Sequence, residues 1–168
     1  GAKATGWFIA SLYLRSYVQE DLIKALSNRD KDALREVKEI CKKYDNDLKK
    51  VTALAGMSRK ETRDAVWDLF PSDPKYSREY LEEVRYNIKD IIIDEMSEPI
   101  EGNIAFFTKA REHGIKVGLV TQTTTKDIFR QSHHFKFPLD IFSVITAAGD
   151  KNWDKSMSKT IGYAVAHE

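Results

Sequence analysis

A change of residue pattern at Pro99 constrains this chain more than any other feature. Residues 17–98 repeat apolar side chains at helical spacing, whereas residues 99–168 alternate helix-like and strand-like segments. Within residues 30–55, Ala33, Leu34, Val37, Ile40, Cys41, Tyr44, Leu48, Val51 and Leu54 draw one apolar stripe. Lys, Glu and Asp fill the other face, and the spacing predicts one long amphipathic helix. Gly56 is the expected stop, since glycine enters the left-handed cap without a steric penalty. Ser58 and Glu61 have capping-box spacing and open the next helix, which Pro71 and Pro74 end. A further helix starts near Ser77 and carries Tyr80, Leu81, Val84, Ile88, Ile91 and Ile92 on one side. Amphipathic helices joined by short turns predict a small bundle.

Beyond Pro99, residues 102–113 predict a helix with Ile104, Phe107 and Ala110 inward, closed by Gly114. Residues 115–120 form a continuous apolar run of strand length, the pattern of a strand covered on both faces. The polar cluster Thr121-Gln122-Thr123-Thr124-Thr125 follows, then a helix over 126–133 and Pro138. A second strand is expected over 142–146, a loop over 147–155, and a last helix through Ile161, Ala164 and Val165. Helix, strand, helix, strand, helix with short links is the order that crossover units of a parallel sheet produce. The expected fold class is therefore α/β.

Composition narrows the function classes. Lys plus Arg number 27 against 26 Asp plus Glu, a net charge of +1, without the basic excess of a dedicated nucleic-acid binder. Cys41 is the single cysteine, so neither an internal disulfide nor a cysteine zinc cluster is available, and a reducing, cytoplasmic setting is expected. Residues 7–14 are the longest apolar candidate, short of the roughly 18 residues a membrane span needs. They also lack a charged leader and a cleavage pattern, so no signal peptide and no membrane partner are expected.

Parallel sheets bind ligands beyond the carboxyl ends of their strands. Thr121 stands at the end of the first expected strand, where a hydroxyl and the free amides of a helix start suit a phosphate. The alternative role for such a threonine is to cap the next helix. Lys155, after the second expected strand, is placed to neutralise the same anion, or is a solvated surface lysine.

These segments resemble a known family. Glu98-Pro99-Ile100-Glu101-Gly102, the helix to Gly114, and Ile115-Lys116-Val117-Gly118-Leu119-Val120-Thr121 are similar to the second-motif region of haloacid dehalogenase-like (HAD) hydrolases. Asp140-Ile141-Phe142-Ser143-Val144-Ile145-Thr146 and Lys155-Ser156-Met157-Ser158 resemble the stretch bearing that family's third-motif lysine. The resemblance implies a HAD-like, Rossmannoid parallel core over 99–168, a helical cap over 17–98, and a first core strand within 1–16. It implies that Thr121, with Gln122, and Lys155 hold phosphoryl oxygens of a small phosphorylated compound, with magnesium as cofactor and the cap selecting the substrate. The alternative is a HAD-like domain, inactive or truncated, that binds a ligand or a protein partner without catalysis.

The family's reaction needs an aspartate nucleophile, because a carboxylate both forms an acyl-phosphate and binds the metal. Aligned on the apolar start, the nucleophile and its partner acid fall near Phe8 and Ala10, yet no Asp or Glu precedes Glu20. Asp94, after Ile91-Ile92-Ile93, is the internal alternative, although Ile91 and Ile92 already belong to a helical stripe. Asp150 and Asp154 have the Gly-Asp-x-x-x-Asp spacing of the family's metal motif, or decorate a loop and cap the last helix. His133 and His134 are adjacent and diverge on a helix, so they do not chelate one metal. Cys41 lies on the apolar stripe as a buried thiol. The aromatics Trp7, Phe8, Tyr13 and Tyr17 are either core or a patch that meets a partner. Lys42, Lys43, Lys49 and Lys50, balanced by Asp45 and Asp47, form a solvated helix face.

Overall fold

The computed structural model describes residues 1–148 together with Tyr163, Ala166 and His167. The chain divides into two units, Gly1–Ser97 and Glu98–Glu168.

The first unit contains α1 (Ala2–Leu14), α2 (Glu20–Ser27), α3 (Lys31–Lys43), α4 (Asp45–Thr52), α5 (Arg59–Leu69) and α6 (Arg78–Met96). Its centre is α1, which packs chiefly on α6 and also on α4 and α5. The expected first core strand within residues 1–16 is corrected here, because that segment is a helix. Thr5 to Leu12 are buried without a break, so α1 has no polar face and its sequence lacks the period of an amphipathic helix. The buried hydroxyl of Ser11 donates to the Phe8 carbonyl at 2.7 Å, so α1 meets this polar need within its own turn. Phe8, 0% exposed, meets Phe70 edge-on with centroids 6.1 Å apart.

The single helix expected over residues 30–55 is two helices, with Tyr44 between them at φ −113° and ψ 34°. Lys42 and Lys43 stand at the negative end of α3, and Asp45 and Asp47 at the positive end of α4. Each charge pair therefore favours a break at Tyr44 over a continuous helix. The Ser58–Glu61 capping box is fully formed, with Ser58 Oγ accepting the Glu61 amide and Glu61 accepting the Ser58 amide at 2.7 Å. Ser77 caps α6 through the Tyr80 amide. Between α5 and α6, Arg59 pairs with Glu82 at 2.8 Å and Arg78 with Asp68 at 2.9 Å.

The second unit contains α7 (Glu101–Glu112), β1 (Gly118–Thr124), α8 (Thr125–Phe135), a 3-10 turn (Leu139–Ile141) and β2 (Val144–Ala148). Gly114 closes α7 at φ 75°, with Ile115 N–H returning to the Ala110 carbonyl. On α7 the expected inward face is present, with Ala110 buried and Ile104 and Phe107 half-buried. The strand expected at 115–120 begins later, at Gly118, and its residues are half-covered instead of buried on both faces. Ile115 lies outside it and is 59% exposed. Gly118 sits close against the partner strand, where a Cβ would stand 3.0 Å from Val144 Cγ1 and the valine side chain would have to shift. The second strand starts at Val144, not at 142, and runs through Ala147 and Ala148, which were expected in the following loop. Pairing is parallel, from Gly118 opposite Val144 to Thr121 opposite Ala147. Tyr163, Ala166 and His167 are helical; the rest of the expected last helix and the loop from 149 lie outside the described residues. Among the described residues, no helix is long and apolar enough to cross a membrane.

Two outcomes test this packing. Phe8→Ala is expected to lower the unfolding free energy by about 3–5 kcal/mol, read from denaturant titration, because it empties a fully enclosed site. The two hydrogen bonds from Ser58 hold the Glu61 carboxyl below its ordinary range. A depressed folded-state pKa stabilises above the unfolded value and is lost as pH falls through the folded one. Glu61→Gln, which keeps an acceptor but not the charge, should lower stability at neutral pH and flatten the acid limb, so that variant and wild type converge at low pH.

Candidate functional site

Parallel pairing brings the carboxyl ends of β1 and β2 to one edge, where Thr124 lies opposite Ala148. Between the pairs Thr121–Ala147 and Thr124–Ala148 the register shifts, so Gln122 and Thr123 bulge from the ladder. Thr121 Oγ1 accepts the Thr123 amide at 3.1 Å and shapes this bulge. Thr124 then caps α8, its Oγ1 accepting the Asp127 amide at 3.3 Å. The bulge thus opens directly onto the positive end of α8, where helix amides point outward and an oxyanion is favoured. Thr121, Gln122, Thr123 and Thr124 are half-buried, while Thr125 and Lys126 are exposed. Lys126 supplies a cation in the first turn of this helix, and Asp127 an opposing carboxylate.

The expected placement of Thr121 at the head of the helix is refined by this geometry. Thr121 remains in the paired strand, and the capping role belongs to Thr124, three residues on. The structure brings Thr121 and Gln122 together at the strand edge. Asp150, Asp154 and Lys155 lie outside the described residues. Thr124 and Lys126 were not singled out by sequence reasoning. The Thr124–Asp127 spacing, a hydroxyl with an acid three residues later, is the capping signal that points to the first of them.

Neither alternative for the nucleophile is at a strand end. Phe8 and Ala10 are enclosed within α1 at 0% exposure. Asp94 lies inside α6 with its side chain 2% exposed, and Arg29 Nη2 holds its Oδ2 at 2.6 Å. That carboxylate anchors the end of α2 to α6 and is corrected from catalytic candidate to buried ion-pair partner. Arg29 itself sits at φ 59°, just past the end of α2. Among the described residues no group of three His, Cys, Asp or Glu side chains gathers to hold a metal, and His133 and His134 join none. Cys41 is half-buried, and burial pushes its thiol up, away from nucleophilic chemistry. Trp7 and Phe8 belong to the core, whereas Tyr17 is exposed.

The family model for haloacid dehalogenase-like hydrolases matches residues 20–167. The chain belongs to the haloacid dehalogenase-like hydrolases. The matched span contains β1, its bulge, α8 and β2, and also Asp150, Asp154 and Lys155. Residues 1–19, with the whole of α1, precede it. Comparison with curated proteins and with solved structures gave no match. The HAD-like hydrolase assignment therefore rests on the family model, and its α/β character on the parallel pair and the helices around it.

The two threonines have separable tasks. Thr124→Ala should lower stability by about 1 kcal/mol through loss of the α8 cap, measured by thermal or denaturant unfolding. Thr121→Ala, which removes the acceptor of the Thr123 amide in the bulge and leaves the α8 cap intact, should lower stability by about 0.5–1.5 kcal/mol.

Proposed function

We propose that this chain is a phosphohydrolase-type HAD protein and that the bulge between β1 and α8 binds the phosphoryl oxygens of a small phosphorylated compound. The observation that carries the reading is the bulge itself. It turns Gln122 and Thr123 out of the ladder beside the paired Thr121, at the shared carboxyl edge of two parallel strands and against the start of a capped helix. Thr121 and Gln122 offer polar side chains, and the first-turn amides of α8 supply fixed donors that need no reorganisation. Lys155, seven residues beyond the end of β2, is the second-cation candidate. The helical residues 17–98 occupy the cap position of the family, where a lid excludes water and selects the substrate.

Magnesium is the cofactor the family implies. Hard divalent cations take several carboxylate oxygens. The described edge offers hydroxyls and amides with the single first-turn carboxylate of Asp127, which does not by itself fit such an ion. Asp150 and Asp154 are the candidate ligands in sequence, and no chemical step is assigned to the metal here.

A second reading, binding of a ligand or a protein partner without turnover, is favoured by one observation. The residues aligned with the nucleophile are enclosed in α1, and Asp94 is neutralised by Arg29. Turnover of a generic phosphate ester with added magnesium separates the two. Under the hydrolase reading, Thr121→Ala and Lys155→Ala each reduce kcat/KM by roughly 10–100-fold, as expected when one or two charge-assisted hydrogen bonds to the reacting phosphoryl group are lost. Absence of turnover with phosphate binding that the same substitutions weaken supports the binding reading. If neither turnover nor phosphate binding occurs, the proposed role of the bulge is wrong.

A further inference from the structure

The end of α1 carries an arginine whose environment the fold does not explain. Arg15 is half-buried, and its guanidinium lies 4.4 Å from the Phe70 ring centroid and 5.1 Å from that of Tyr17. Nε donates to the Ser11 carbonyl at 3.3 Å, but Nη2 is enclosed and has no acceptor. Among the described residues Arg15 makes no ion pair, and burial lowers its proton affinity. The acid that acts on it, Asp47, is itself held by Lys50 at 2.9 Å. A desolvated cation with an unused donor is destabilising unless something else supplies the acceptor.

The surroundings favour an anion. Lys50 Nζ lies 6.0 Å from the same Phe70 ring, and Lys43 Nζ lies 5.2 Å from the Tyr44 ring, which is 6.2 Å from Tyr17. Arg15 and Lys50 thus both lie near the Phe70 ring, and Lys43 lies near the Tyr44 ring that adjoins Tyr17. Backbone geometry puts Tyr17 there. Ser16 adopts φ 64°, and the Tyr17 amide returns to the Leu12 carbonyl at 2.9 Å, reversing the chain at the end of α1. Tyr17 is 60% exposed and forms the solvent-facing wall beside the guanidinium.

We infer that Arg15, with Lys50 near the same Phe70 ring and Tyr17 as its outer wall, forms an oxyanion site in the helical unit, for the carboxylate or phosphate group of a small molecule. Rotation of Tyr17 uncovers the enclosed Nη2, and the bound oxyanion accepts from Nη1 and Nη2 as a fork. Phe70 stays behind the guanidinium and fixes its plane. The site is independent of the bulge at β1.

Side-chain nitrogen NMR of the full chain tests it, with the Arg15 Nε–H signal assigned by its loss in Arg15→Lys. Titrations with sodium phosphate and with sodium benzoate are compared with sodium chloride at matched ionic strength. The expected result is a saturable shift of the Arg15 signal with phosphate, benzoate or both, retained in Thr121→Ala and absent with chloride. The stronger of the two identifies the source of the oxyanion. Arg15→Met should weaken that binding by about tenfold or more while keeping or raising the melting temperature, because it removes a desolvated charge. An equal shift with chloride, no saturable shift with either oxyanion, or a fall in melting temperature without loss of binding overturns the inference.

Discussion

Parallel pairing of β1 with β2 is the constraint on which the functional geometry depends. Two strands running the same way need a crossover, and α8 with the following 3-10 turn supplies it. The same pairing forces both carboxyl ends to one edge and starts α8 there. Gly118 allows the strands to approach, since any larger residue would press on Val144. Thr124 then fixes where the strand stops and the helix begins. The bulge at Gln122 and Thr123 follows from these two limits: β1 carries two more residues between its last pairs than β2 does.

The helical unit depends on a different constraint, the burial of α1 on all sides. A helix without a polar face has to lie in the middle of its unit, and α4, α5 and α6 are arranged around it. That placement also decides the fate of two charges. Asp94, facing inward from α6, needs Arg29, and Arg29 reaches it from the residue that closes α2 in the left-handed conformation. Arg15, at the end of α1, is drawn onto Phe70 without receiving a carboxylate. Buried Asp94 and Lys89 thus have charged partners, whereas half-buried Arg15 has aromatic rings.

Much of this was legible in the residues. The Ser58–Glu61 box, the Ser77 cap, the Gly114 stop and the parallel helix–strand alternation are all local signals, and each acts within a few residues. Where reading failed, a competing interaction explains it. Residues 2–14 lack periodicity because every face of α1 is covered, so they resembled a short strand. The stripe over 30–55 is continuous, but Lys42-Lys43 before Tyr44 and Asp45 after it mark the break, a charge signal overshadowed by the apolar one. Helix ends were sought at glycines, yet Ser16, Arg29 and Lys136 take the left-handed position as well. At the candidate site, Thr121 and Gln122 were singled out from the strand end and the family resemblance, whereas the bulge at Gln122 and Thr123 was not legible, because register depends on the partner strand.

The central claim is that the edge where the β1 bulge meets the start of α8 receives a phosphoryl oxyanion. Backbone amide NMR of the chain during a phosphate titration tests it most directly. The account predicts saturable shifts of the Gln122, Thr123, Thr125 and Lys126 amides, diminished in Thr121→Ala. Phosphate that binds without moving those four amides, or shifts them no more than chloride at the same ionic strength, would contradict it.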